Sequence, residues 1–291
     1  MRLATPTPVL LPRLWLWSSI AAALLGGVGS VVGLTANTRV YGGEVGDLID
    51  QATAQDLVNL VVVAPLTVVL GRAAARGSVR AFTCWVGCVA FTVYSYAIYT
   101  FSIHFGPLFL VWVAVLGLSF YALVGALTTT DATLVARWFG GRSTSLTSWT
   151  SWVAGTAFGL LWLSEILPDL AAGRASTSGA ALNLPTNPVH VLDLALFLPA
   201  VLVSGTLLRR RRPLGFATAP GVLVFLALTS VPIEVSPLMA LAHGRTPAWG
   251  AAVPIGIVLA WTAFVLHRTL HQPHPATTPG PASDHRLETT S

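Results

Sequence analysis

Eight apolar stretches, each near the length of a bilayer crossing, leave almost every charge of this chain in the gaps between them. They run over residues 14–35, 56–75, 80–101, 107–129, 147–168, 189–208, 214–235 and 248–269. About 20 apolar residues cross the hydrocarbon core as a helix, and a helix satisfies its own backbone where no water can. Only 9% of the 291 residues are charged. A soluble domain carries roughly 25%, so lipid must be the solvent for much of this surface. The sequence predicts an all-α polytopic membrane helix bundle with eight transmembrane helices. It forms one domain over residues 1–271, followed by a disordered cytoplasmic tail over 272–291, rich in Pro, Thr and Ser.

The gaps sort by sign. All 16 cationic residues are Arg. With the N-terminus in the cytoplasm, 13 fall on the inner side, and Arg39, Arg174 and Arg245 fall outside. The acids reverse this: Glu44, Asp47, Asp50, Asp56, Glu165, Asp169, Asp193 and Glu234 lie at or near the outer face. Arg resists translocation while acids contribute little to orientation. The expected topology is therefore N-in/C-in in a plasma (inner) membrane. The run from Leu14 to Leu34 exceeds the 7–15 residues of a signal-peptide core and reads as a retained helix. The all-Arg, Ala-, Val- and Leu-rich composition points to a prokaryotic, GC-rich source.

Several chemistries drop out. The pI near 9.9 comes from Arg in short loops, with no basic stripe interleaved with aromatics, so no nucleic acid is expected. Without Lys there is no Schiff-base cofactor and no phosphate-binding G-x-x-x-x-G-K-[ST] loop. Cys84 and Cys88 share a helix face and read as small core residues. His267, His271 and His274 have ligand-like spacing, but Pro273 ends any helix there, and a solvated reading is preferred. No inverted repeat is evident.

Ionisable groups inside a membrane cost roughly 2.5–3.5 kcal/mol each near a helix centre and are functional candidates. Here they collect at one depth, the outer third. Asp56 and Asn59 share a face at the start of the second span, where Asp56 reads equally as a helix cap. Thr92, Ser95, Tyr96 and Tyr99 form a polar stripe on the third span, facing either a cavity or the interface. On the fifth span, Glu165 is the deeper of two acids, and Asp169 is expected to be solvated. Asn187 and Pro188 form an N-cap and first helical position, which places His190 and Asp193 on one side of the sixth span. Pro232 and Pro237 are expected to break the seventh span near Glu234.

The segments Gln55–Leu60, Tyr94–Phe101, Pro107–Leu110, Leu184–Ala195 and Arg209–Leu214 with Ala219-Pro220 resemble a family of eight-span prokaryotic integral membrane proteins. That family brings no known activity or cofactor, so the resemblance implies architecture alone.

The expectation is that Asp56, Asn59, Tyr96, Tyr99, Glu165, His190, Asp193 and Glu234 converge on one outward-facing pocket. Such a pocket suits binding or transport of a small polar solute, a cation or a proton-coupled substrate. A metal-assisted membrane hydrolase is the second reading, with His104, His190 and His243 as ligands. The third is a non-catalytic accessory or sensor subunit. Gly26, Gly29, Ser30 and Gly33 would then pack against a partner helix or a second copy, although packing within the chain's own bundle also explains them.

Overall fold

The computed structural model describes residues 10–272. Among them, eight helices are long and apolar enough to cross a membrane: Arg13–Thr35, Gly46–Ala75, Val79–Ser102, Phe109–Thr129, Ser145–Ala171, Pro188–Arg209, Pro213–Ala242 and Trp249–His271. Three short helices, Asn37–Tyr41, Ala132–Phe139 and Thr177–Ala181, lie between them. Ala132–Phe139 lies in the connection between the fourth and fifth spans. Arg142 lies 4.2 Å from its Trp138 ring centroid. Most of the expected tail lies outside the described residues, as does His274. Gln272 does not belong to a loose tail, because its Oε1 accepts from Ser143 N at 3.0 Å.

Two helix ends differ from expectation. The second span begins at Gly46, ten residues before Asp56, so Asp56 sits in mid-helix and is not a cap. Residues 46–55 are polar enough to read as loop. They are helical because Leu48 and Ala52 join an apolar cluster with Tyr41 and Tyr99, and because Asp50 finds partners. The seventh span is continuous to Ala242 despite Pro220, Pro232 and Pro237 within it. Most of its length is packed between neighbouring helices, and such packing lets a membrane helix tolerate proline.

The third and seventh spans form the centre, with 83% and 67% of their apolar windows buried, against 11% for the fifth and eighth. Their crossing reveals a direct repeat. A shift of 134 residues (199 minus 65) brings the second and third spans into register with the sixth and seventh without a gap. Identities include Pro65/Pro199, Gly71/Gly205, Phe82/Phe216, Gly87/Gly221 and Phe91/Phe225.

The backbone repeats in the same register. A π-helical turn spans Asn59–Val63 in one half and Asp193–Phe197 in the other. Ala64 N–H reaches back to Asn59 O, and Leu198 N–H to Asp193 O. A proline one residue later lacks its N–H and presses on the carbonyl four residues back. A wide turn just before it shifts the ladder and relieves that contact.

Both helices then end alike. Gly77 N bonds Ala74 O at 2.9 Å, and Arg211 N bonds Leu208 O at 2.9 Å. Ser78 N bonds Ala73 O at 3.1 Å, and Arg212 N bonds Leu207 O at 2.9 Å. This is the Schellman pattern, with φ of 93° at Gly77 and 54° at Arg211. Four spans separate the repeated pairs, so both pairs run through the bundle in the same chain direction.

Candidate functional site

The first polar group surrounds Asp56. The mid-helix position aims this side chain at the first span, where Gly33 makes room. A Cβ at Gly33 would strike both Asp56 Oδ2 and Tyr41 Oη. Asp56 is 2% exposed. Tyr41 donates to Asp56 Oδ2 at 2.6 Å, and Tyr99 Oη lies 2.9 Å from Oδ1 and 3.0 Å from Ala52 O. Burial, with Asp56 alongside, holds the Tyr41 phenol well above its usual range, so it remains a donor. Tyr99 stacks on Trp112 with centroids 5.4 Å apart. No Arg or His forms an ion pair with Asp56 among the described residues.

Asn59 lies one turn deeper, at the head of the π-turn. Its Oδ1 accepts from Gln55 Nε2 at 2.8 Å, while its Nδ2 is buried without a partner. Ser30 Oγ is near both Asp56 and Tyr96 yet meets neither with hydrogen-bond geometry. A Cβ at Gly26 would come 2.6 Å from Tyr96 Oη, so the small residues of the first span serve this chain's own bundle.

The second group surrounds Asp193. Asn187 Oδ1 caps Val189 N at 3.0 Å as the sequence predicts, which sets His190 and Asp193 facing the fifth span. Trp162 Nε1 donates to Asp193 Oδ2 at 2.8 Å, and Tyr94 lies on the same carboxylate. His190 Nε2 is 3.3 Å from Glu165 Oε2. The angle is wrong for a hydrogen bond, so that nitrogen is buried and unpartnered, and the contact is an ion pair by distance only. The Trp162 and His190 rings lie 4.8 Å apart.

The eight expected residues therefore do not form one pocket. Tyr96 and Tyr99 face the first and second spans, while Tyr94 faces the sixth and seventh. An apolar cluster including Val58, Phe91, Leu192, Phe197 and Phe225 fills the space between. Glu234 stands apart from both groups, opposite Gly256 of the eighth span, with a buried and unpartnered Oε1. Alternation of sides along the third span makes the split: residues two apart point to opposite faces of a helix. A cleft of about 550 Å³ does open between the fifth and eighth spans, but apolar residues such as Trp149, Phe158 and Trp261 line it.

The three histidines do not meet either. His104 pairs with Glu44, Nδ1 to Oε2 at 2.9 Å. His243 pairs with Asp50 at 2.6 Å, and His190 with Glu165. No group of three metal-ligating side chains occurs among the described residues. Asp169 is not solvated as expected. It is held by Arg174 Nε at 2.6 Å and Thr177 N at 2.7 Å.

The two polar groups are nonetheless related. The 134-residue shift (190 minus 56) that aligns the π-turns places Asp56 on His190 and Asn59 on Asp193. Each half thus presents a polar pair at the mouth of its π-turn, a feature that recurs at functional sites. At the acidic-loop end a clasp joins the halves: Arg245 donates twice to Asp50, which also takes His243. That bonding holds the Arg245 guanidinium above its usual range.

Tyr41 and Trp162 are absent from the sequence-derived set. Trp162 lies one turn before Glu165, so helical spacing could have found it. Tyr41 sits in a connection with no periodicity and left no signal. No family model, curated protein or solved structure matches the chain.

Proposed function

We propose that the protein is a plasma-membrane carrier for a small polar solute or cation, coupled to protons. The observation that carries this reading is the direct repeat with a polar pair at each π-turn. Repeats related by an axis along the membrane normal are one way secondary transporters are built, and their sites lie at interrupted helices between the halves. Rocking of the halves about the third and seventh spans would expose the two groups alternately. The Arg245–Asp50 clasp would close the acidic-loop end. The arginine rim supports an orientation with both termini in the cytoplasm of a prokaryotic cell.

The hydrolase reading is the weaker one, because the three histidines lie apart and no group of three metal-ligating side chains occurs among the described residues. The accessory reading loses its free glycine face, which packs on Tyr96, Val111 and Asp56.

The test is uptake into vesicles reconstituted with the full chain. Labelled amino acids, amines and sugars are offered under an imposed pH gradient, with a trapped pH dye reporting proton movement. Uptake driven by the gradient and lost in Asp193→Asn supports the carrier. No movement above protein-free vesicles for any class rejects it. A reporter fused after Arg212 that reads as external overturns the orientation.

A further inference from the structure

We infer that Asp56 holds a proton in this structure and is a proton-binding site, a neutral carboxylic acid inside the bundle. Asp56 is 2% exposed and faces no cation among the described residues. A tyrosine hydroxyl has one proton to give and lone pairs to accept with. Tyr99 Oη faces two acceptors, Ala52 O at 3.0 Å and Asp56 Oδ1 at 2.9 Å. It can serve only one of them. Tyr41 serves the other carboxyl oxygen, Oδ2, at 2.6 Å.

Ala52 O also takes the helical N–H of Asp56, so Tyr99 is free to serve Oδ1. If Asp56 were ionised, however, a carboxylate 2% exposed would have no cation opposite it. If Oδ1 carries a proton, every contact is served. Asp56 donates to Tyr99 Oη, Tyr99 donates to Ala52 O, and Tyr41 donates to Oδ2. A buried charge without a partner is so costly that the group takes up a proton instead.

The surroundings agree from every side. The first span brings Ser30 and Gly33, and the short helix brings Tyr41. The third span brings Tyr96 and Tyr99, the fourth brings Trp112, and the second itself brings Gln55 and Asn59. The seventh span also packs on this helix, but its Glu234 is turned to Gly256. None of these supplies a positive charge. The unpartnered Ser30 Oγ adjoins the group and has lone pairs to accept a departing proton's hydrogen bond, whereas Asn59 Nδ2 can only donate. Loading is the step carboxylate plus proton to acid, and release is its reverse. That the proton is moved rests on the carrier reading, whereas its presence does not.

The test is infrared spectroscopy of the purified full chain in nanodiscs near neutral pH, comparing wild type with Asp56→Asn. The expected result is a carboxylic-acid carbonyl band lost in the variant. Asn reproduces the neutral pattern, Nδ2 donating to Tyr99 and Oδ1 accepting from Tyr41. Its thermal midpoint should therefore stay within about 2 °C of wild type. A difference spectrum showing only loss of carboxylate bands overturns the proposal. Tyr99→Phe gives an independent reading should Asp56→Asn fail to fold. It removes the acceptor of the Asp56 proton and should shift the same carbonyl band upward, and no shift counts against the site. A band without vesicle uptake leaves the proton site standing and removes the carrier. Uptake without the band does the opposite.

Discussion

Gly87 of the third span and Gly221 of the seventh occupy equivalent positions in the two halves and lie against each other at backbone distance. A Cβ at Gly87 would strike Gly221 O, and one at Gly221 would come 3.1 Å from Gly87 N. Equivalent residues that touch mark the axis relating two repeats, as an isologous contact does between subunits. Small residues at a membrane helix crossing allow this approach.

Gly87→Ala should therefore lower stability by about 1–3 kcal/mol, the usual cost of overpacking. Gly117, where an added Cβ meets nothing within 4 Å, is the control. There Ala should be neutral or stabilising by up to about 1 kcal/mol through helix propensity. Thermal unfolding in detergent compares them, and equal loss at both sites would remove the axis assignment.

Tyr41→Phe leaves Asp56 Oδ2 without its buried donor and should cost about 1–3 kcal/mol. Combined with Tyr99→Phe, the effects should be non-additive by at least about 0.5 kcal/mol, because both residues share one carboxyl group. Strict additivity in a double-mutant cycle would show that the two phenols act independently.

Arg245→Ala should destabilise more than the pair Asp50→Asn with Arg245→Ala. The single change leaves Asp50, 4% exposed, with a charge and a lost partner. The double change removes the charge as well. Because Arg245 is partly solvated, the single loss should be about 1–3 kcal/mol, below that of a fully buried pair.

Arg211→Gly should stabilise the sixth-span terminus by about 1 kcal/mol. Arg211 holds a left-handed φ of 54° where its counterpart is Gly77, and side chains resist that region. The contact of Arg211 with Arg142 O, at 3.3 Å, is long and offsets little of the gain. A lower unfolding midpoint for the variant would show that contact to matter more than the strain.

The short helix Ala132–Phe139 should loosen in acid. Asp131 caps it, taking Thr133 Oγ1 at 2.6 Å and Thr133 N at 2.8 Å. These bonds hold its carboxyl below the usual range. A lowered folded value means that the capping contribution is present above the unfolded value, near 3.9, and is lost as pH falls through the folded one. Hydrogen exchange over 132–139 should lose protection in that window, while Asp131→Asn, an uncharged cap, should not.

Span number, approximate span limits and the capping at Asn187 were legible in the sequence, because each follows from local length, apolarity or a single cap. The charge asymmetry likewise lies in the order of residues. The repeat was legible too, in Pro65 and Pro199 with the glycines that follow, but only to a comparison made at the right shift. The convergence of the polar residues was not legible. Tyr94, Tyr96 and Tyr99 sit within two turns, and which carboxylate each one meets depends on how the third span is rotated between its neighbours.

Hydropathy, summed along the chain, set how many helices this protein has. Proline and glycine placement set where they widen and how they end. Only the packing decided that Asp56 faces Tyr41 and Tyr99 while Asp193 faces Trp162 and Tyr94. A helix rotated by half a turn buries a similar apolar area, so sequence pattern alone leaves the facing side nearly free, and contacts across the bundle fix it.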